Sequence, residues 1–506
     1  MGSKSGGSGP QRHVEVERKF DVGPDGVTPR FDGLAAVGRV ERQPTQELDA
    51  VYFDTAGHEL ALRRITLRRR TGGPDSGWHL KLPAGADTRN EIRVPLGATD
   101  APGETEPPEE LVDVVRAIAR DRPLVPVARI STVRDVTMLF GTDDARLAEF
   151  CDDEVTARAF DHSDGAAGPD QRWHEWELEL VAGNGTKSDA RLLDQLGHRL
   201  LDAGGSPAGH GSKLARVLDT GAAVPSASSA PTDPVHRAVA RHVDELLEWD
   251  RAVRADAYDS VHQMRVTTRK IRSLLQASSE AFGLTDDAWV LDELRQLAGV
   301  LGVARDAEVL AERYSAALDA LPAELVRGPV RERLVDGARR RYQAGLRHCL
   351  TAMRSPRYFR LLDALDQLVG AVPAHPGASH GQSLDSAYRR VRKAAKSAAA
   401  AAKADRDEAL HRIRKGAKKL RYVAAATGKT KIADRAKGIQ TLLGEHQDSV
   451  VSRTHLSQQS GQAHSAGEDT FTYGLLYQRE IDLAQRCREQ LDAALASLRK
   501  SVHKAR

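Results

Sequence analysis

Aromatic rings are scarce in this chain: 9 Phe, 9 Tyr and 5 Trp make up 5% of its 506 residues. Proteins that bind single-stranded nucleic acid stack bases on such rings, so the shortage disfavours a nucleic-acid partner. A phosphate-rich partner without bases would need no rings. Cysteine is scarcer still, with Cys151, Cys349 and Cys487 far apart and in no C-x-x-C spacing. Neither a zinc site nor a disulfide framework is indicated, which is consistent with a reducing compartment. No apolar run approaches the roughly 20 residues of a membrane span, so no membrane segment is expected. Met1 to Pro10 is Gly/Ser-rich and lacks the apolar core of a secretory signal. Residues 1–11 therefore read as a disordered tail, and the expected location is the cytoplasm. A strong net charge is also missing, since 74 basic and 71 acidic residues leave only +3. The position of charge matters more here than its total.

The chain is too long for one ordinary core, and its composition, 40% hydrophobic and 29% charged, fits globular domains. Two or more folding units are expected. In the first part, eight segments read as strands: Glu15 to Asp21, Gln46 to Asp54, Ile65 to Arg70, Gly77 to Leu82, Asn90 to Leu96, Ala128 to Leu139, Arg146 to Asp153, and Trp173 to Val181. Gly, Pro and Asp clusters separate most of them as turns. A short helical stretch is expected near Leu34 to Val40, with longer helices over Glu109 to Arg120 and Asp189 to Asp202. The predicted fold is an antiparallel eight-stranded β-barrel with flanking helices.

Successive strand side chains alternate sides, so each strand can be split into two faces. One face carries Glu15, Glu17 and Lys19, then Arg68 and Arg70, His79 and Lys81, Glu91 and Arg93, Thr132 and Arg134, and Glu175, Glu177 and Glu179. The other carries Ile65 and Leu67, Leu80 and Leu82, Val133, Trp176, Leu178 and Leu180. A simple small barrel would put the apolar face inside. The alternative packs the apolar faces outward against helices and leaves a charged lumen. Segregation of sign supports that alternative: acids cluster on the first and last strands, and bases on those between. Carboxylates bind hard divalent cations, and Arg and Lys pair with phosphate oxygens, so such a lumen could clamp a metal-loaded polyphosphate.

In order, Glu15-x-Glu17-x-Lys19, Tyr52-Phe53-Asp54-Thr55, Leu67-Arg68-Arg69-Arg70, Leu80-Lys81, Arg89-x-Glu91, Glu177-x-Glu179-Leu180 and Ser212-Lys213 resemble the CYTH domain, whose members are the triphosphate tunnel metalloenzymes. The resemblance spans roughly residues 12–220. It implies Mg²⁺ or Mn²⁺ held by Glu15, Glu17, Glu177 and Glu179, with Glu15, Glu17 and Lys19 at the catalytic centre. It implies triphosphate held by Lys19, Arg68, Arg70, Lys81, Arg93, Arg134 and Lys213. An acidic residue ending the Arg146–Asp153 strand is the fifth implied metal ligand; Asp153 is preferred over Asp152 because it shares a face with Glu149. The implied reaction is metal-assisted hydrolysis of a phosphoric anhydride, without a covalent nucleophile. His79 reads as structural, and Glu91 as orienting its arginine neighbours.

Residues 221–232 form an Ala/Ser/Pro-rich linker. Beyond it, from 233 to 506, the pattern is all-α and repeats itself in halves of about 233–375 and 383–506. The stretch from Val261 to Arg272 aligns with that from Leu410 to Arg421, and Leu301-Gly302-x-x-Arg305-Asp306 aligns with Leu443-Gly444-x-x-Gln447-Asp448. The offset is 149 residues from His262 to His411 and 142 from Gly302 to Gly444. The difference is about two helical turns, so a helix can shorten without rotating its buried face. His262, Arg265, Arg269 and Arg272 share one helical stripe, repeated by His411, Arg414, Lys418 and Arg421. A seam of Val261, Met264, Thr268 and Ile271 lies beside the first stripe, and Leu410, Ile413, Ala417 and Leu420 beside the second. Stacked like charges repel, so the stripes cost stability unless anions occupy them.

These elements resemble the CHAD domain, a duplicated helical bundle associated with inorganic polyphosphate. The resemblance makes both stripes, with Lys270, Lys415 and Lys419 beside them, the expected polyphosphate contacts, and it raises the expectation of association with polyphosphate granules. Asp306 and Asp448 are expected to brace the basic helices; His262 and His411 are open to titration near neutral pH or to a structural role. Gln447 departs from Arg305 of the first half. The combined expectation is a multidomain α+β protein that hydrolyses inorganic triphosphate or short polyphosphate and binds longer chains. A non-catalytic polyphosphate scaffold, a nucleoside or thiamine triphosphatase and an adenylate cyclase are the alternatives, because the barrel residues read phosphates and nothing else of the substrate.

Overall fold

The computed structural model describes residues 11–97, 106–160, 168–181, 183–220, 234–285, 288–371, 384–402, 405–426 and 428–505. The expected linker and the tail up to Pro10 lie outside these residues. The chain divides into two compact units, Met1–Ala230 and Pro231–Arg506.

The first unit is built from β1 (Gln11–Val22), β2 (Arg39–Arg42), β3 (Gln46–Asp54), β4 (Thr66–Thr71), β5 (Gly77–Pro83), β6 (Thr88–Pro95), α1 (Glu109–Ala119), β7 (Val125–Phe140), β8 (Arg146–Ala159), β9 (Gln171–Leu180), α2 (Lys187–Asp202), β10 (Gly205–Pro207) and α3 (Lys213–Val217). Eight antiparallel strands close in the order β1-β6-β5-β4-β3-β7-β8-β9, and the β1–β9 pairing seals the ring. β1 starts four residues earlier than the sequence pattern indicates, because Gln11 to Val16 pair with β6 before Glu17 to Asp21 pair with β9. The stretch expected to be helical near Leu34 is instead turns followed by β2, which pairs with the overhanging end of the long β7. That overhang offers backbone hydrogen-bonding groups that a strand satisfies and a helix would not.

The apolar faces point outward, as the alternative reading requires. Trp176, Leu178 and Leu180 of β9 pack with Leu193, Leu196 and Leu200 of α2, and Val16, Phe20, Leu139 and Phe150 complete that cluster. α2 is held at its start by a reciprocal cap between Thr186 and Asp189. At the other end of the barrel Leu214 and Val217 of α3 join Ala50, Tyr52, Ile130, Val155 and Ala157. The short helix thus plugs one end of the interior. Asp54, in the Tyr-Phe-Asp-Thr motif, is fully buried and accepts the backbone N–H groups of Thr55, Leu60 and Ala61 at 2.7, 3.0 and 2.9 Å. Its role is to tie the turn after β3.

The second unit contains, among the described residues, α4 (Pro234–Arg254), α5 (Ser260–Ala277), α6 (Trp289–Asp319), α7 (Gly337–Met353), α8 (Pro356–Gly370), α9 (Leu384–Ala399), α10 (Arg406–Ala426), α11 (Thr430–Ser465) and α12 (Phe471–Ala505). The duplicated motifs fall on α5 and α10 and on α6 and α11. Met264 and Ile271 of α5 are buried, and their counterparts Ile413 and Leu420 of α10 are buried too. The halves meet through Tyr314 and Leu318 of α6, Leu456 of α11 and Tyr473 and Leu476 of α12. A polar core runs beside them: Arg313 makes a bidentate pair with Glu480, and Tyr314 Oη lies 2.9 Å from His455 Nδ1.

Candidate functional site: a charged barrel lumen and a paired basic helix face

The barrel encloses a cavity of about 720 Å³ lined by Glu15, Glu17, Lys19, Arg68, Arg70, Lys81, Arg93, Arg134, Glu177, Glu179 and Lys213, together with Tyr52, Arg89, Glu91 and Glu149. Asp153 is fully buried and meets two of these lining residues, Arg134 and Lys213. Every barrel residue singled out for catalysis, phosphate or metal is therefore brought to one interior. Register explains how. Glu17 sits opposite Glu179 and Lys19 opposite Glu177 across β1–β9, while Glu149 and Asp153 face Glu179 and Glu175 across β8–β9. Asp152 points the other way and pairs with His174, so Asp153 is the lumen residue of the two.

Three charge environments share this lumen. In the first, Lys213 reaches Asp153, Glu175 and Glu177 at 2.8, 2.6 and 2.7 Å. Arg134 grips Asp153 through two bonds of 2.7 and 2.6 Å and reaches Glu177 at 2.5 Å, and Lys19 also pairs with Glu177. Burial works against ionisation of Glu177, but Lys19, Lys213 and Arg134 outweigh it and hold its pKa well below the usual range. These three acids lie close enough together to hold a metal ion. Each is already met by the Lys213 ammonium, so a cation there would have to compete with it.

The second environment is an excess of acid. Burial raises the pKa of Glu179 to about 7, with Lys81 opposing and Glu15, Glu17 and Glu177 adding to the rise. Glu15 is likewise raised by burial, although Lys81 lies 2.8 Å from its carboxylate. Burial opposes ionisation of Glu17 too, but Lys19 and Lys81 hold its pKa at about 2. A hard divalent cation fits this group, because carboxylate oxygens are its preferred donors and its charge would relieve the crowding. Glu15, Glu17 and Glu179, with Glu177 shared, are the residues that could hold it.

The third is an excess of base. Burial, then Arg68 and Arg134, push Arg70 down to about 9 although it touches Asp75 in the β4–β5 turn. The Nε atoms of Arg68 and Arg70 are buried without a partner. Arg68 donates to Tyr52 Oη at 3.1 Å. A buried guanidinium N–H lacking an acceptor is costly, and phosphate oxygens supply acceptors of the matching geometry. His79 is almost fully buried; it contacts Glu91 at 2.8 Å, and Glu91 also accepts from Arg93. His79 and Glu91 thus form one buried chain of contacts with Arg93 on the basic wall. Sequence reasoning named two further residues without giving them a role. Arg89 lies 3.3 Å from Glu17, a position its parity with Glu91 and Arg93 signals. Glu175 was placed on the charged face without a role, and it is a Lys213 partner.

In the helical unit the two stripes converge. Burial pushes Lys418 down to about 8, and Arg269, Arg414, Arg265 and Arg421 add to the effect. Arg269 is lowered by burial and by Arg265, Arg414 and Arg272, with Tyr422 opposing. The Leu-Gly elements set the arginines: a Cβ at Gly302 would stand 3.4 Å from Arg265 Nε, and one at Gly444 3.5 Å from Arg414 Nη2. Each guanidinium lies against a glycine of the neighbouring long helix. Lys270 turns aside toward Glu245, and Lys415 and Lys419 are exposed. Burial and then nearby cations lower the pKa of both His262 and His411. Arg305 pairs with Glu308 at 2.7 Å, which removes it from the free cations, and Asp448 lies near Arg414 and Arg313.

Comparison with known proteins agrees with this geometry. A CYTH domain model matches residues 13–193, and a CHAD domain model matches residues 237–457. Uncharacterised proteins from two strains of Mycobacterium tuberculosis are 64% identical over 98% of this chain and 98% of their own length. Among solved structures, the CHAD domain of the plant Ricinus communis aligns with 53% of this chain and 93% of its own, at 22% identity and a TM-score of 0.40. A Hippeastrum adenylyl cyclase candidate described as having a dominant triphosphatase activity aligns with 41% of this chain and 95% of its own, at 18% identity and a TM-score of 0.26. Among the described residues no helix is long and apolar enough to cross a membrane. With its charged barrel followed by its duplicated helical bundle, the chain belongs to the family of two-domain proteins that join an N-terminal CYTH domain to a C-terminal CHAD domain.

Proposed function

We propose that the barrel hydrolyses inorganic triphosphate or a short polyphosphate with Mg²⁺ or Mn²⁺, and that the helical domain binds inorganic polyphosphate. The single observation that carries this reading is one lumen that holds both crowded buried acids, Glu15 and Glu179, and a basic wall in which the Nε atoms of Arg68 and Arg70 lack a hydrogen-bond partner. A metal-bound polyphosphate satisfies both at once. When bound, the cation supplies Lewis-acid polarisation of a phosphoryl oxygen and charge neutralisation. Arg68 and Arg70 receive phosphate oxygens. Lys81, Arg93, Arg134 and Lys213 exchange part of their carboxylate contacts for phosphate and so balance the charge that develops in the anhydride cleavage. Asp153, gripped by Arg134 and Lys213, keeps these two cations in place.

An inorganic substrate is favoured over a nucleotide. Only Tyr52 and Phe140 among the lining residues carry a benzene ring, and Arg68 and Arg39 already engage them. In the helical domain, Arg265, Arg269, Arg272, Arg414, Lys418 and Arg421 form the polyphosphate surface, with His262 and His411 at its ends. Phosphate release from triphosphate, ATP and long-chain polyphosphate, with and without EDTA, tests the reading. Triphosphate turnover lost on chelation is expected. Tight polyphosphate binding with no release under any metal would instead make the protein a scaffold.

A further inference from the structure

The barrel cavity runs from Lys213 at α3 to a rim at the opposite end, made by the start of β1, the connection 43–46, the turn between β4 and β5 and the end of β9. That turn, Gly72-Gly73-Pro74-Asp75-Ser76, is shaped by its two glycines, with φ of +78° and +72°. It lies close against β3: a Cβ at Gly72 would run into the Glu47 carbonyl, and one at Gly73 into the Leu48 side chain. Ser76 Oγ donates to the carbonyls of Gly72 and Gly73 at 3.1 and 3.2 Å, and His79 Nε2 lies 2.9 Å from the Asp75 carbonyl oxygen. The backbone is therefore held, and it aims Pro74 and Asp75 at the cavity, which both line. The Asp75 side chain, 31% exposed at the rim, reaches in to pair with the nearly buried Arg70. A carboxylate there takes the place on the guanidinium that phosphate oxygens would take.

We propose that Asp75 is a chain-length selector: it holds Arg70 until a terminal phosphate displaces it, and its charge then opposes any chain that continues out through the rim. This selector rests on the reading of the lumen as a triphosphate site. A triphosphate contained in the cavity lets the displaced carboxylate turn toward solvent. A longer chain has to pass Pro74 and Asp75 with further phosphates, and like charges brought together in a half-enclosed site repel. The rim offers little to offset this. Glu41 is itself an acid, paired with Arg39, and Arg146 is an exposed cation that salt screens. Discrimination of this kind comes from a repulsive element aimed at the wrong ligand, with Arg68 and Arg70 attracting both.

The test is phosphate release from inorganic triphosphate and from long-chain inorganic polyphosphate, with Mg²⁺, by the full-length protein and its Asp75→Asn and Asp75→Glu variants. The parent should favour triphosphate. Asp75→Asn should raise kcat/KM for the long chain roughly tenfold relative to triphosphate, chiefly through KM, and Asp75→Glu should restore most of the discrimination. An unchanged ratio in Asp75→Asn would overturn the selector, and so would a parallel loss on both substrates, the mark of a structural role. If the parent releases no phosphate from either substrate, the hydrolase reading falls by itself. The three proteins are then titrated calorimetrically with the same two polyanions and Mg²⁺. The helical domain is the same in all of them, so a difference between parent and Asp75→Asn reports the barrel. Long-chain binding strengthened severalfold more than triphosphate binding would uphold the selector, and identical titrations would overturn it.

Discussion

Lys213 in the barrel and Lys418 in the helical domain are both enclosed by charge, and their surroundings drive them in opposite directions. Burial disfavours the charged form of each. Around Lys213, Asp153, Glu175 and Glu177 more than compensate and raise its pKa well above the ordinary value. Around Lys418 four arginines add to the penalty and lower it to about 8. The barrel carries counter-ions for most of its cations and keeps a small surplus of each sign. In the helical domain, among the described residues, no carboxylate forms an ion pair with Lys418, Arg269, Arg265 or Arg414, and Asp448 is the acid that lies near Arg414. On the function proposed above, the self-paired lumen would select a compact, metal-loaded ligand, and the unpaired face a long polyanion.

Reversing the unpaired face should have the largest effect. Changing Arg265, Arg269, Arg414 and Lys418 together to Glu should weaken polyphosphate binding by about 10²-fold or more, measured by titration. The fold should survive, because among the described residues none of these four side chains forms an ion pair with a carboxylate, although Asp448 lies near Arg414. Removing a paired cation should do the reverse. Lys213→Met leaves three buried acids without their shared partner and should destabilise the barrel by about 3–5 kcal/mol, read from denaturant unfolding. If both changes behaved alike, the contrast between the two units would be wrong.

The strand faces, the ordered acidic and basic motifs and the helical repeat were legible in the sequence because side-chain period follows backbone geometry. Glu15, Glu17, Glu177 and Glu179 reach the lumen by strand parity alone. The choice between an apolar and a charged interior was not legible from parity, since both arrangements use the same alternation. It depends on α2 and α3 covering the apolar faces and one barrel end. β2 was missed because its pairing partner is the overhang of β7, a tertiary feature. The association of Glu175 with Lys213 arises between β9 and a distant helix start, which no local pattern encodes. The convergence of α5 and α10, the turning away of Lys270 and the pairing of Arg305 with Glu308 depend on how neighbouring helices pack, which the stripes alone do not encode.

A smaller effect concerns pH. The folded pKa of Lys418, about 8, lies below its ordinary value of 10.5. Below pH 8 both folded and unfolded states are protonated, so the folded state bears the full cost of the charge. As pH rises from about 8 to 10.5 the folded lysine loses its proton first, and that cost fades. The unliganded helical domain should therefore gain stability across that window, and Lys418→Met should flatten the slope and raise Tm slightly at pH 7. Polyphosphate binding near pH 8 should take up protons, measurable by calorimetry in buffers of different ionisation enthalpy.

The smallest effect separates packing from charge. A Cβ at Gly345 of α7 would stand 2.8 Å from Ala304 Cα of α6, so Gly345→Ala should cost about 1–3 kcal/mol of stability. Polyphosphate affinity should not change, since no stripe residue moves.

The most direct test of the central claim is phosphate release from inorganic triphosphate with Mg²⁺ or Mn²⁺ by the intact protein and by a Glu15→Gln/Glu17→Gln variant. The two carboxylates are read as metal ligands, so turnover should fall by about 10²-fold or more in the variant while polyphosphate binding by the helical domain stays intact. Undiminished turnover in the variant would contradict the assignment of the lumen acids.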